Sequence, residues 1–482
     1  MDNKIDTYIK NEVLIRPTKL IDELSYDNVL FNHRSEYETI IEYIEEFLEG
    51  RNINRYLVLP GIRDVGKSTI LFQIYEYLLK EKNINSKNIL YLSVDNLMKI
   101  TNCSILDAVS AYLRIFFNSQ IETQKEPVFL LIDEAQYDTD WSLIGKIIFD
   151  NSKKIFMIYS GSSALEISYN ADSARRLLRI PIIPLTYSEH LKLKYNYYDK
   201  NISTLLYELI YDNKTNNIPE INNKIIQAYT NINGYDINEW IKYLKYGGFP
   251  SYFHQKENDV IKKIIDTTDK IVNIDMKNIE GFNKNTEIVT FNLLYYFALQ
   301  NMGEISTESL ANSLDSNKNT IKKILNILEK AQLINQIDPF TSSVKRVTKS
   351  KKYYFATPSI KHVLSLNYGT AILEDENAYY GKLLENYVAS SFFYLEKTKT
   401  FQHKIYYDDN KKGSKNVDFI IQRKLEHPIP IEVSFGKKDK SQINDAIKRY
   451  KSSHGIIISK NTSEIVQKGN VTYISPEIFA FL

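Results

Sequence analysis

Apolar residues in the first part of the chain gather into continuous runs of strand length: Tyr56-Leu57-Val58-Leu59, Ile89 to Val94, Val128 to Ile132 and Ile155 to Tyr159. Unbroken rather than alternating apolar character marks strands buried on both faces, as in a parallel sheet covered by helices. The first run meets a Pro60/Gly61 turn and then a segment, Ser68 to Lys80, whose Ile70, Leu71, Ile74 and Leu78 recur at helical spacing. This β-loop-α unit and the runs after it predict a doubly wound α/β domain over 51–190, behind an N-terminal helical segment over 1–50.

Beyond about 190 the pattern changes. Polar stretches such as Asp212 to Asn217 separate short helical spacings, predicting a helical lid or linker over 191–285. Between 286 and 370 the order is a helix ending near Asn301, then Leu310, Ala311 and Leu314 on one side of Ser306–Leu314, then Ile321, Ile324, Leu325 and Leu328 on one side of Asn319–Lys330. Followed by Lys345-Arg346 and Tyr353-Tyr354-Phe355, these two short helices resemble a winged helix-turn-helix. The stretch 375–482 predicts a small α/β domain, with a helix around Glu385 and strands at Val417–Ile421, Ile431–Val433 and Ile456–Ile458.

Composition narrows the class without choosing a function. With 482 residues, 25% charged and 43% hydrophobic, the chain suits several folded domains rather than a disordered or fibrous class. A net charge of +2 confines any nucleic-acid contact to a local patch. One cysteine, Cys103, excludes an internal disulfide and suits a reducing cytoplasm. The first residues lack a signal peptide's apolar stretch, and no run approaches the roughly 20 residues of a membrane helix, so a cytoplasmic location without a membrane is expected.

The strongest chemical signal is Gly61-Ile62-Arg63-Asp64-Val65-Gly66-Lys67-Ser68, a full match to the phosphate-binding loop pattern between a strand and a helix. Glycines let successive backbone N–H groups turn inward around phosphates, and the helix N-terminus adds its partial positive charge. Gly61, Asp64, Val65, Gly66, Lys67, Ser68 and Thr69 are therefore the expected ATP-binding residues, with Lys67 on the β- and γ-phosphates and Ser68 on Mg2+. The apolar strand Val128–Ile132 ends in Asp133 and Glu134. Asp133 is expected to hold the magnesium and Glu134 to act as general base toward water, a pairing that favours hydrolysis over mere binding. Ser160, with Ser162 as second choice, follows the next strand and is a candidate contact to the γ-phosphate or the water. Arg175, Arg176 and Arg179 supply the planar, permanently charged group suited to a phosphoryl transition state, although three such residues also suit a solvated face.

The loop, Ile-Asp-Glu-Ala-Gln over 132–136, Ser-Gly-Ser-Ser-Ala over 160–164, Ala-Arg-Arg over 174–176 and Pro-Leu-Thr-Tyr-Ser-Glu over 184–189 together resemble the bacterial and archaeal AAA-type P-loop ATPases of the AAA+ superfamily. The resemblance continues through Gly247-Gly248-Phe249-Pro250, Gly381 to Asn386, Val417-Asp418-Phe419 and Ile431-Glu432-Val433. It implies a P-loop NTPase sheet, a winged-helix module and a restriction-endonuclease-like C-terminal domain, with Arg176 at the position of the family's Ala-Gly-Arg arginine. A nuclease of that type needs two acids on adjacent strands and a lysine beside the second. Asp418 and Glu432, joined by Glu385 from the helix, form the candidate second metal site, but Ser434 stands where the family often has lysine, leaving Lys437 or Lys438 to substitute.

The expected function is a Mg2+-dependent ATPase of AAA type, with catalytic Lys67, Glu134, Ser160 and Arg176, that couples nucleotide state to a DNA-engaging or partner-binding C-terminal half. The rival readings are a nucleotide-gated scaffold with negligible turnover and an ATP-regulated nuclease. Asn317, Lys318, Asn319, Thr320, Lys322, Lys323 and Asn326 on the second short helix, with Lys345, Arg346, Lys349, Lys351 and Lys352 after it, are the candidate DNA contacts. An arginine acting in trans implies a homo-oligomer.

Overall fold

The structure, a computed structural model, describes all residues except 1, 28, 163–174, 277–281, 301–302, 369–374, 399–402, 411–415, 425 and 437–439. Ser163, Ala164, Ala174, Lys437 and Lys438 thus lie outside the described residues. The chain divides into two units, Met1–Ile183 and Pro184–Leu482.

In the first unit the apolar runs form β1 (Tyr56–Pro60), β2 (Ile89–Ser93), β3 (Val128–Asp133) and β4 (Ile155–Gly161), and a two-residue β5 (Leu178–Arg179) completes the sheet. The strand order is β2-β3-β4-β1-β5, and every neighbouring pair is parallel. Helices cover both faces: α1 (Asp2–Leu24), α2 (Ser35–Leu48), α3 (Lys67–Glu76), α4 (Val94–Thr101), α5 (Ile105–Phe117) and α6 (Trp141–Asn151). Strand alternation explains how one continuous apolar run serves two layers. Val58, Leu90, Leu130 and Met157 pack with Val109 and Leu113 of α5 and Ile144 of α6, whereas Phe129 and Phe156 project the other way onto Phe47 of α2, with ring centres 5.7 and 5.3 Å away. This is the P-loop NTPase architecture that the sequence predicts. Because β2 and β3 lie on one side of β1 and β4, with β5 on the other, the chain changes winding direction at β1. Ligands bind beyond the carboxyl ends of strands at such a switch point.

The second unit begins with helices α7 (Tyr187–Tyr195), α8 (Lys200–Asp212), α9 (Ile218–Asn231), α10 (Glu239–Tyr246) and α11 (Glu257–Lys270). Helices α12 (Lys284–Leu299), α13 (Thr307–Ser313) and α14 (Lys318–Lys330) then lead into a hairpin of β6 (Ile334–Pro339) and β7 (Lys352–Phe355), with α15 (Ser343–Thr348) between its strands. The amphipathic spacing of α14 is realised, with Ile321, Ile324, Leu325 and Leu328 buried. After α16 (Pro358–Asn367) and α17 (Glu376–Thr398) come β8 (His403–Tyr407), β9 (Phe419–Arg423), β10 (Ile429–Ser434), α18 (Ser441–Tyr450), β11 (Gly455–Ser459), β12 (Val466–Lys468) and β13 (Val471–Ile474). These strands do not form a separate sheet. Tyr406 of β8 pairs with Asp338 of β6, so one eight-stranded sheet, β12-β13-β11-β10-β9-β8-β6-β7, runs across the boundary expected between 370 and 375. Among the described residues no single helix is long and apolar enough to cross a membrane.

One buried carboxylate helps hold the helical part together. Glu239, at the start of α10, accepts hydrogen bonds from His190 Nε2 at 2.6 Å, Lys194 Nζ at 2.7 Å and Tyr195 Oη at 2.7 Å, all from α7. Burial alone pushes its pKa up, but these three donors outweigh burial and bring it down to about 2. A depressed carboxylate pKa contributes stability that is complete above the ordinary value and lost as pH falls toward the folded one. Denaturant unfolding of the second unit is therefore expected to lose on the order of 3 kcal/mol between pH 5 and pH 2 through this group. Glu239→Gln is expected to flatten that part of the profile.

Candidate functional site

The loop that follows β1 is built for a close approach. A side chain on Gly61 would bring a Cβ within 2.1 Å of the Ile182 carbonyl oxygen, so only glycine fits there. Asp64 and Gly66 adopt left-handed backbone, with φ of +64° and +94°. Gly66 is also the residue capping α3, and it has no side chain to accept from the first amides of that helix. Those amides direct the helix's partial positive charge at the loop. Val65 is fully buried, while its carbonyl accepts from Arg34 Nη1 at 2.8 Å. The same nitrogen donates to the Ile183 carbonyl at 3.0 Å, pinning the loop to the end of the first unit.

Lys67 is 5% exposed, and its Nζ donates to the carbonyls of Gly61 and Ile62 at 3.0 and 2.7 Å. Burial drives its pKa below the ordinary lysine value, opposed by the charges of Glu134 and Asp133. Asp133 at the end of β3 is held on both oxygens. Tyr91 Oη of β2 donates to Oδ2 at 2.9 Å; the Glu134 amide donates to Oδ1 at 3.1 Å, and Ser160 Oγ donates to the same oxygen. Glu134 sits in left-handed backbone, φ +54°, which costs a non-glycine residue about 1 kcal/mol. Its Oε2 accepts from Gln136 Nε2 at 2.5 Å and lies 3.6 Å from Arg63 Nη1.

The donor set suits a nucleotide with Mg2+. Exposed helix amides and a buried ammonium are anion-binding groups, and the Ser68 hydroxyl with the Asp133 carboxylate offers the hard oxygens that Mg2+ prefers. Gly61, Asp64, Val65, Gly66, Lys67, Ser68 and Thr69 lie together around the start of α3, and Asp133, Glu134 and Ser160 lie at the ends of the neighbouring strands β3 and β4. Ser160, the candidate contact to the γ-phosphate or the water, is fully buried with its hydroxyl on Asp133.

Arg176 does not join this group. Its Nε donates to Asp150 Oδ1 at 2.6 Å, and Asp150 lies in the last turn of α6, just before β4 begins at Ile155. The guanidinium therefore lies at the entry end of the sheet, about 20 Å along β4 from Ser160. Arg175 and Arg179 are exposed.

The second expected site is corrected. Among the described residues no group of three His, Cys, Asp or Glu side chains is placed to hold a metal ion. Asp418 and Glu432 are opposite one another across β9 and β10, since Phe419 pairs with Ile431. Ile431 and Val433 face the core shared with Leu384 and Val388 of α17. Glu432, between them, faces the other side with Ile457, its register partner, which packs with Ile443. Glu385 is on α17 and accepts from Tyr354 Oη at 2.7 Å on the first side. Glu432 thus lies on the face away from α17, whereas Asp418 is within electrostatic reach of Glu385, whose carboxyl pKa is pushed up by burial and by that neighbouring charge; Asp418 Oδ2 accepts the Val433 amide at 2.7 Å. The candidate DNA contacts after α14 are also largely engaged. Lys349 pairs with Asp409, Lys351 Nζ is 2.5 Å from Asp338 Oδ1, and Arg346 stacks 4.4 Å from the Tyr406 ring centre.

Sequence reasoning missed Arg34, Tyr91 and the roles of Arg63 and Gln136. Tyr91 left one trace, a hydroxyl in an otherwise apolar strand; Arg34 left none, because its partner carbonyls lie 31 and 149 positions away.

The AAA domain family matches residues 53–191. Two further families, Domain of unknown function (DUF8612) and Domain of unknown function (DUF4143), match 237–370 and 380–478. The uncharacterized protein MJ1637 of Methanocaldococcus jannaschii is 34% identical over 449 residues, covering 93% of this chain and 89% of that protein. An uncharacterized protein of Haemophilus influenzae is 24% identical over 426 residues, covering 86% and 91%. The Aeropyrum pernix ORC2 protein, solved as ADPNP and ADP complexes, aligns at 12% identity and a TM-score of 0.34 over 73% of this chain and 98% of its own. With identity and coverage of this extent to MJ1637, the chain belongs to the family of that archaeal protein.

Proposed function

We propose that the protein hydrolyses ATP at the loop between β1 and α3. The observation that carries this reading is the buried Lys67 ammonium, held by two loop carbonyls and within electrostatic reach of Asp133 and Glu134. A buried cation of this kind is stabilised by an incoming polyanion, because the phosphate charge replaces the solvent that burial removed. Lys67 binds the β- and γ-phosphates, and the amides from Gly66 to Thr69 orient the chain of phosphates. Ser68 and Asp133 would hold the Mg2+, whose charge when bound would offset that on the phosphate oxygens. Glu134 accepts a proton from the attacking water as its oxygen bonds to the γ-phosphorus. The bond from that phosphorus to the β–γ bridging oxygen breaks, and ADP leaves with those electrons. Tyr91 and Ser160 position Asp133.

Phosphate release from ATP by the full chain tests this reading. Lys67→Ala is expected to abolish nucleotide affinity and turnover together, whereas Glu134→Gln keeps affinity and lowers turnover about 100-fold or more. Unchanged phosphate release in both variants refutes hydrolysis at this loop, and tight ATP binding by wild-type protein without turnover favours the scaffold reading.

DNA contact through α14 belongs to the same proposal. Lys318, Asn319, Lys322 and Asn326 are exposed on the side opposite its buried residues, and such residues read phosphates and base edges. Because Arg346, Lys349 and Lys351 are engaged elsewhere, α14 carries the contact. Lys322→Glu is expected to weaken duplex DNA binding and to reduce the slope of log affinity against log salt by about 1. Equal affinity and slope in a fluorescence-anisotropy titration count against this contact.

A further inference from the structure

Gln136 has no chemistry of its own to contribute to phosphoryl transfer, yet it is the residue most directly joined to Glu134. It follows Glu134 by two positions, in a short turn over Ala135–Tyr137. Its Oε1 accepts the Ser162 amide at 3.1 Å, and its Nε2 donates to Glu134 Oε2 at 2.5 Å. Only one orientation of the amide satisfies both neighbours, because a backbone N–H must be accepted and a carboxylate must be given a donor. Ser162 itself follows directly on Gly161, the last residue of β4, and its side chain is fully buried. The carboxylate is therefore tied, through two hydrogen bonds, to the end of the strand that separates β3 from β1. Arg63, from the phosphate loop, approaches the same oxygen at 3.6 Å. Both contacts fall on Oε2, so Oε1 is the oxygen left to meet a water.

We propose that Gln136 is a positioning residue for Glu134, aiming Oε1 at the attacking water by tethering Oε2 to the end of β4 at Ser162. The inference rests on the ATPase reading and deepens it. Held in this way, the general base keeps one geometry through the reaction, which is what orientation contributes to rate. It also makes the base responsive to the segment that follows β4, since a shift of the Ser162 amide is transmitted to the carboxylate through a single side chain.

The test is a set of variants in the full chain, read as steady-state ATP hydrolysis together with ADP affinity by calorimetry. Gln136→Leu is expected to lower kcat by about 10-fold or more, with KM and ADP affinity held within about twofold, since the lost contact acts on the transition state. Gln136→Glu has the same shape and still accepts from Ser162, but it offers no donor to Glu134. It sets a second carboxylate against Glu134 and is expected to lose at least as much activity as Gln136→Leu. The decisive arm is the double variant. In a Glu134→Gln background, Gln136→Leu is expected to change the residual rate by less than about twofold, because a residue acting through Glu134 has nothing left to act on. Full additivity of the two losses, or wild-type kcat in Gln136→Glu, overturns the proposal while leaving hydrolysis at the loop intact. Phosphate release left unchanged by Lys67→Ala, with no measurable ADP binding by wild-type protein, instead overturns the reading on which it rests.

Discussion

An ammonium sealed beneath a turn of main chain is an unstable arrangement unless something negative is meant to meet it. Lys67 is buried, its nitrogen is held by two carbonyls of its own loop, and the nearest acids, Asp133 and Glu134, come from the neighbouring strand. The rest of the first unit can be read as what this placement requires. The parallel sheet carries β1 and β3 with only β4 between them, so the loop after one and the acids after the other open at the same edge. Gly61 permits Ile182 to pass within contact, and Arg34 fastens the loop's far side through Val65 and Ile183. Remove the parallel order and Lys67 has no acids to face.

Most of this was legible in the chain because its causes are local. A glycine that only a tight approach requires, a lysine and serine at a helix start, and two acids after an apolar run are features of ten residues or fewer, and each keeps its meaning wherever it is read. The strands were legible for the same reason, since burial on both faces leaves no polar alternation. What the sequence could not reveal is which hydroxyl, amide or guanidinium turns toward which acid. Tyr91 and Asp133 are 42 residues apart and meet only because β2 and β3 pair in register, Tyr91 beside Leu131. Ser160, expected near the γ-phosphate or the water, has its hydroxyl on Asp133, a rotation of one bond that no spacing decides.

In the second unit the same limit has larger consequences. Asp418, Glu432 and Glu385 have the order of a nuclease site, but strand alternation sends Glu432 to the face away from α17, and no count of intervening residues reports which face a helix covers. The hairpin of β6 and β7, which by sequence closes one module, by structure continues the sheet of the next. Its cations are accordingly spent on Asp338 and Asp409, and the exposed charge remains on α14.

The account stands on recognition of phosphate by the loop, not of the base or sugar. Competition calorimetry measures this directly, with ATP titrated into the full chain alone, then in the presence of inorganic triphosphate or of adenosine. Saturable heat with one ATP per chain, suppressed by triphosphate and untouched by adenosine, is the predicted result. No heat with ATP, or displacement by adenosine but not by triphosphate, contradicts it.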